Sequence, residues 1–154
     1  KVAGEITESI IHGYSNKTHI GFIGNSYIGE WVNLGAGTTT SNLKNNYTSI
    51  DTIVDNKKTD TKLTIFGSII GDYVKTSINT SLNTGTLIGL GSTLFNTGFH
   101  AKNIPPFQWG SPNNYTLHKF DQFIKTTKVM MLRRNNSLSK TKEQLLYWLF
   151  QNHS

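Results

Sequence analysis

Histidine is the residue type here best suited to acid–base chemistry, and the 154-residue chain has five of them and no cysteine. An imidazole takes up and returns a proton near neutral pH, so each histidine is a candidate base or ligand. Without cysteine there is no thiolate nucleophile, disulfide framework or zinc–cysteine site. His12, His100, His118 and His153 stand isolated, and His12 and His19, seven apart, do not form the close pair that a histidine metal site needs. No metal site is expected. Gly35 and Gly37 flank Ala36 in a run that could cradle a phosphate, but no strand-to-helix crossover follows, so they are read as turn glycines.

The elements that must position these residues follow from composition. Thr, Asn and Gly number 20, 16 and 14, about a third of the chain, and strong helix formers are scarce before residue 115. Apolar content is only 36% and charged content 16%. A thin core with polar residues stacked in ladders satisfies both numbers, which excludes a helical bundle and a disordered chain.

A six-residue period supplies that core. One series runs Ile10, Asn16, Phe22, Ile28, Leu34, Thr40, and a second runs Ile70, Thr76, Leu82, Ile88, Leu94. Small residues or valine stand four places later, as at Ser26, Val32, Val74, Thr80 and Ser92. Three six-residue faces make one triangular coil of about eighteen residues, with tight corners favouring Gly or Asn. The expected fold is therefore an all-β solenoid over residues 1–108, with an inserted hairpin or loop over 46–62 around the turn-like Asp55, Asn56, Lys57 and Lys58. Ile104 to Phe107 should end it, and residues 109–154 are read as a loop and then helices. Thr116 is the expected first cap, and Thr141 with Gln144 the expected capping box of the last helix.

The run His19, Ile20, Gly21, Phe22, Ile23, Gly24, followed by Ile28 to Thr38 and by Ser41 and Asn42, resembles the carboxy-terminal acetyltransferase domain of the bifunctional sugar-1-phosphate nucleotidylyltransferases. Lys75, Thr76, Ser77, Ile78 and Asn79 are similar to the second repeat block of members with a hairpin-like insertion. The resemblance covers about residues 4 to 104. It implies a left-handed parallel β-helix, a homotrimer with clefts between subunits, and acetyl-CoA as co-substrate for acetylation of an amino-sugar phosphate, with no metal required. By the same resemblance His19 is the general base, Asn33 and Asn42 orient the sugar and the base, and the backbone of Ala36 lies against the acetyl group. Phe22 stands where the family has a sugar-contacting tyrosine. Lys75, Ile78 and Asn96 join Ala36 as cofactor-binding candidates. The sequence departs from the family at Thr7, where a phosphate-binding lysine is expected, at Ile78 for a serine and at Leu43 for a tyrosine. Lys17, Lys44 and Lys75 are candidate substitute cations, Lys17 being the choice for substrate.

The family's nucleotidylyltransferase domain is absent from this sequence, whose amino end, Lys1 to Glu5, opens in mid-pattern without an initiator methionine or signal-peptide pattern. A piece of a longer, cytoplasmic protein is expected. No apolar run approaches the roughly 18 residues of a membrane span. The chain carries a net charge of +6, most of it after residue 114, but those charges interleave with Leu117, Phe120 and Ile124 at core spacing. They are read as a solvated helix face and not as a nucleic-acid site. The competing function is a non-catalytic trimerisation or regulatory domain of a nucleotidylyltransferase.

Overall fold

The computed structural model describes residues 1–96 and 98–152, so His153 lies outside the described residues. Short strands separated by tight corners wind into a three-faced prism. The first coil contributes β1 (Glu5–Thr7) and β2 (Ile10–Ile11) and the second β3 (Phe22–Gly24) and β4 (Tyr27–Ile28), while Asn16 and Asn33 bridge in parallel on the third face. The third coil opens with β5 (Thr39–Thr40), is interrupted by the antiparallel hairpin β6 (Asp51–Val54) and β7 (Lys57–Asp60), and resumes with β8 (Ile69–Ile70) and β9 (Lys75–Thr76). Above it lie β10 (Thr80–Leu82), β11 (Leu87–Ile88) and β12 (Thr93–Leu94), then β13 (Gly98–Phe99), β14 (Asn103–Ile104) and β15 (Gln108–Ser111). A final strand, β16 (Asn114–Leu117), turns back antiparallel onto β15, and α1 (Phe120–Leu132) and α2 (Lys140–Gln151) follow.

The second face is a five-stranded parallel sheet in the order β14-β11-β8-β4-β2. The first face carries β1, β3, β5, β10 and β13, and the third the Asn16–Asn33–Lys75 bridges continuing into β9, β12 and β15. Parallel pairing in register stacks like positions, so Ile28, Ile70, Ile88 and Ile104 form one inward column, with Leu34 and Leu94 beside it, each nearly inaccessible. Threonines fill the narrower places: the hydroxyls of Thr38 and Thr76, both buried, lie 2.8 Å apart. That is how a chain of 36% apolar content closes a core.

The structure bears out the solenoid, the inserted hairpin and the helical tail, and corrects details. The second six-residue series is inward throughout. The first is out of register by one place before residue 28: Ile10 is exposed, and Ile11, Lys17 and Ile23 take the inward positions. A five-residue step from Ile23 to Ile28 at the Gly24–Ser26 corner absorbs the slip. The winding also continues past Phe107 into β15, so the expected Gly/Pro/Asn loop is a hairpin in which Gln108 to Ser111 pair with Asn114 to Leu117. The first helix begins after Lys119, with no side-chain cap and with Thr116 still in β16. The second is capped by Ser139, whose hydroxyl accepts from the Lys142 N–H at 3.2 Å, in place of the Thr141 box.

The helices are held by one corner. At the turn between second and third faces Tyr14, Trp31, Tyr73 and Phe107 all adopt φ near +60°, with Gly91 completing the stack. The N–H groups of Tyr73, Gly91 and Phe107 donate to carbonyls of the coil below, those of Glu30, Asp72 and Leu90. A left-handed conformation costs a bulky residue about 1–2 kcal/mol. Trp31, Tyr73 and Phe107 are nonetheless buried beneath Phe123, Ile124, Met131 and Leu146, and fully burying one such side chain contributes about 1.5–3 kcal/mol. Packing therefore exceeds strain, and the ladder seats α1 and α2 on the prism. Among the described residues no helix is long and apolar enough to cross a membrane.

Candidate functional site

The corner between the third and first faces gathers most of the residues singled out by the repeat. Asn16, Asn33, Lys75 and Thr93 are register partners on the third face, and three residues beyond each come His19, Ala36, Ile78 and Asn96. Backbone bonds hold the stack: Asn79 N–H donates to Ala36 O at 2.7 Å, Gly37 N–H to Ile20 O at 2.9 Å, and Ser77 N–H to Leu94 O at 2.8 Å. Coils approach closely here because Gly35 has no side chain; a Cβ there would lie 2.4 Å from Ser77 O. His19 is exposed, and among the described residues no side chain is hydrogen-bonded to its ring. Exposed Ile20 and Ile78 give the corner an apolar border.

The other candidates are dispersed. Phe22 is half-buried and points out from the first face, since its neighbour Ile23 points in. Asn42 sits at the far edge of that face, where its amide donates to Asn25 Oδ1 at 2.7 Å and Asn25 in turn donates to Glu8 at 2.7 Å. This is a corner ladder. The ring of Phe22 and the amide of Asn42 both close over Gly24. Lys17 corrects an expectation: it is 1% exposed and inward, and its ammonium donates to the carbonyls of His19, Ile20 and Ala3. Three acceptors match its three donors, so nothing remains for a substrate. Burial lowers its pKa.

Asn33 and Lys75 face outward into a groove between the third face and α1. A cavity of about 630 Å³ there is bordered by Asn16, Lys125, Arg133 and Arg134. A second, of about 530 Å³, is bordered by Trp109, Leu117, His118 and Phe123. Lys75, Gln122 and Thr126 line both. Arg134 clasps the lower end, its guanidinium donating to Asn16 Oδ1 at 2.8 Å. Burial holds the Lys75 ammonium down at about 8. It donates to Tyr73 O at 3.1 Å, and among the described residues no carboxylate pairs with it. His118, at the upper end, has its Nδ1 3.1 Å from Lys119 O, to which the Nδ1–H tautomer donates, and burial lowers its pKa. Sequence reasoning missed the wall formed by α1 and the turn after it; the signal was Lys125 with Arg133 and Arg134, eight and nine residues further on. Among the described residues no three His, Asp or Glu side chains come together as metal ligands.

The fold is a β-solenoid of six-residue repeats, mostly of parallel strands, followed by two helices. No family model matches the chain. It is homologous over part of its length to the bifunctional protein GlmU, as the His19–Asn42 resemblance implies. The Buchnera aphidicola GlmU is 44% identical over 50 residues, 32% of this chain and 11% of that protein. The Thermotoga petrophila and Thermotoga maritima proteins are each 29% identical over 106 residues, 69% of this chain and 20% of theirs. The chain thus spans a fifth or less of the length of these relatives. A hexapeptide-repeat acetyltransferase from Vibrio cholerae superposes with a TM-score of 0.41 at 19% identity, over 76% of this chain and 74% of that one.

Proposed function

We propose that this chain is an acetyl-CoA-dependent N-acetyltransferase domain acting on an amino-sugar phosphate, working as a homotrimer. The observation that carries this reading is the single corner that stacks His19, Ala36, Ile78 and Asn96 in a chain homologous to part of GlmU. In the proposed reaction the sugar amine attacks the thioester carbon, the C–S bond breaks, and an amide N–C bond forms. His19 accepts the proton lost by nitrogen and returns it to the departing thiolate, giving CoA as the free thiol. The apolar border of Ile20 and Ile78 suits a pantetheine arm, and Ala36 leaves room for the acetyl methyl. Asn33 lies one coil from Asn16 at the edge of the same face, in position to orient a sugar.

The unpartnered His19 ring fits a site completed by a second copy of the chain, since a general base needs a group to set its tautomer. The competing reading, a non-catalytic assembly domain, draws on Asn42, whose amide is engaged in the Asn25 ladder. Purified protein incubated with acetyl-CoA and a panel of amino-sugar 1-phosphates separates them. Release of CoA supports the transferase, whereas an assembled, folded protein without turnover or acetyl-CoA binding supports the assembly domain.

A further inference from the structure

We propose that the groove between the third face and α1 is a binding site for a phosphate monoester, with the phosphate among Lys75, Lys125, Arg133 and Arg134 and the rest of the ligand against Trp109. Each wall contributes something that surface charge alone does not explain. Lys75 comes from the prism, is largely shielded from water, and has no carboxylate partner among the described residues. A shielded ammonium without a counter-charge is unfavourable, and an anion would relieve it. Lys125 comes from α1 and Arg133 and Arg134 from the turn that follows it, and the cavity they share with Lys75 has no acidic residue among its described lining residues. Two other helix lysines have acidic partners: Lys128 pairs with Glu143 at 2.8 Å and Lys142 with Glu30 at 3.8 Å. In the groove, among the described residues, none of Lys75, Lys125, Arg133 and Arg134 has a carboxylate within ion-pair distance.

The shape indicates the rest of the ligand. Next to the cationic cavity, and sharing Lys75, Gln122 and Thr126 with it, is the apolar one bordered by Trp109 and Phe123. A ring, whether sugar or base, can lie on an indole while its phosphate reaches the cations. Two sources offer that chemistry, a phosphorylated sugar and the phosphates of a nucleotide-containing coenzyme. Thr7, which stands where the resembled family has its phosphate lysine, is exposed on the first face and takes no part in this groove. The proposal depends on the acetyltransferase reading only for which source applies. Binding is measured without an acyl donor, so either idea can fail while the other stands.

The test is calorimetric titration of the purified chain at low salt with inorganic phosphate, a hexosamine 1-phosphate and 3′,5′-ADP. It compares Lys75→Gln, the pair Lys125→Ala with Arg133→Ala, and the hairpin control pair Lys57→Ala with Lys58→Ala. Circular dichroism and Tm confirm folding of each, and Lys75→Met serves if Lys75→Gln does not fold. Saturable phosphate binding, weakened tenfold or more by the groove variants and unchanged in the hairpin control, is the expected result. Trp109→Phe should weaken an organic ligand more than inorganic phosphate. Tighter binding of the sugar phosphate than of 3′,5′-ADP assigns the sugar source, and the reverse assigns the coenzyme; both uphold the site. Absence of saturation by about 10 mM phosphate, or equal weakening by the hairpin and groove variants, overturns it.

Discussion

The buried ammonium of Lys17 donates to the backbone carbonyl of His19, tying the inside of the prism to the residue on its corner. The same ammonium reaches Ile20 O at 2.9 Å and Ala3 O at 3.4 Å. Lys17→Met keeps the volume and leaves these carbonyls unpaired, which should cost about 1–3 kcal/mol of stability. Thermal unfolding should show a lower Tm. In an active enzyme turnover should fall with it, because the corner loses its internal anchor.

The aromatic corner ladder makes opposite predictions at its two ends. Tyr73 is 1% exposed and packs edge-on against Phe123, so Tyr73→Ala should cost about 3–5 kcal/mol and loosen the helices. Tyr14 is 49% exposed, though stacked on Trp31 at 4.2 Å. Its φ of 60° suits asparagine better than tyrosine, so Tyr14→Asn should change stability by less than about 1 kcal/mol. Urea denaturation of both variants checks the contrast.

Two glycines separate close approach from ordinary turn chemistry. Gly35→Ala would place a methyl 2.4 Å from Ser77 O and should destabilise by about 1–3 kcal/mol, opening the His19 corner. Gly13→Ala meets its nearest atom, Glu30 Oε1, at 3.9 Å, and should be tolerated. Equal Tm values for the two variants would contradict the closeness of the coils at Ser77.

Much of the fold was legible because inward positions repeat every six residues, and Ile70 to Leu94 keep that step without a fault. The error at Ile10 came from one shortened corner: a single missing residue moves every upstream side chain to the other side of its strand. Ile11, Lys17 and Ile23 carry the true period, but a lysine in the series hid it. The stacking of His19, Ala36, Ile78 and Asn96 follows from local spacing, whereas the groove does not. Its second wall comes from α1, and what brings α1 there is an aromatic ladder in a conformation that local preference assigns to Gly and Asn. Those residues pay for their strain through contacts with Phe123 and Met131, far away in sequence.

Stability should depend on pH through Lys75. Burial holds its pKa at about 8, against 10.5 for an ordinary lysine. Between those values the unfolded chain binds more protons than the folded one, so this group makes stability rise with pH from about 8 to 10.5. The groups facing it are His118 and Lys119 at one end and Lys125 on α1 with Arg133 and Arg134 in the turn after it. Burial lowers the pKa of His118 from 6.5, so it is neutral in that window and contributes no slope. Guanidine unfolding at pH 7.5 to 10.5 should therefore show a steeper rise for the native chain than for Lys75→Met; parallel curves would mean that Lys75 is solvated.

The most direct test of the proposed function is release of CoA by the purified chain with acetyl-CoA and an amino-sugar 1-phosphate, run beside His19→Ala. His19 is exposed and corner-borne, so the substitution should leave Tm within about 2 °C while lowering kcat by about 10²-fold or more. An unchanged kcat in a folded His19→Ala protein, or no turnover and no acetyl-CoA binding by the native one, would contradict the assignment of His19 as the base.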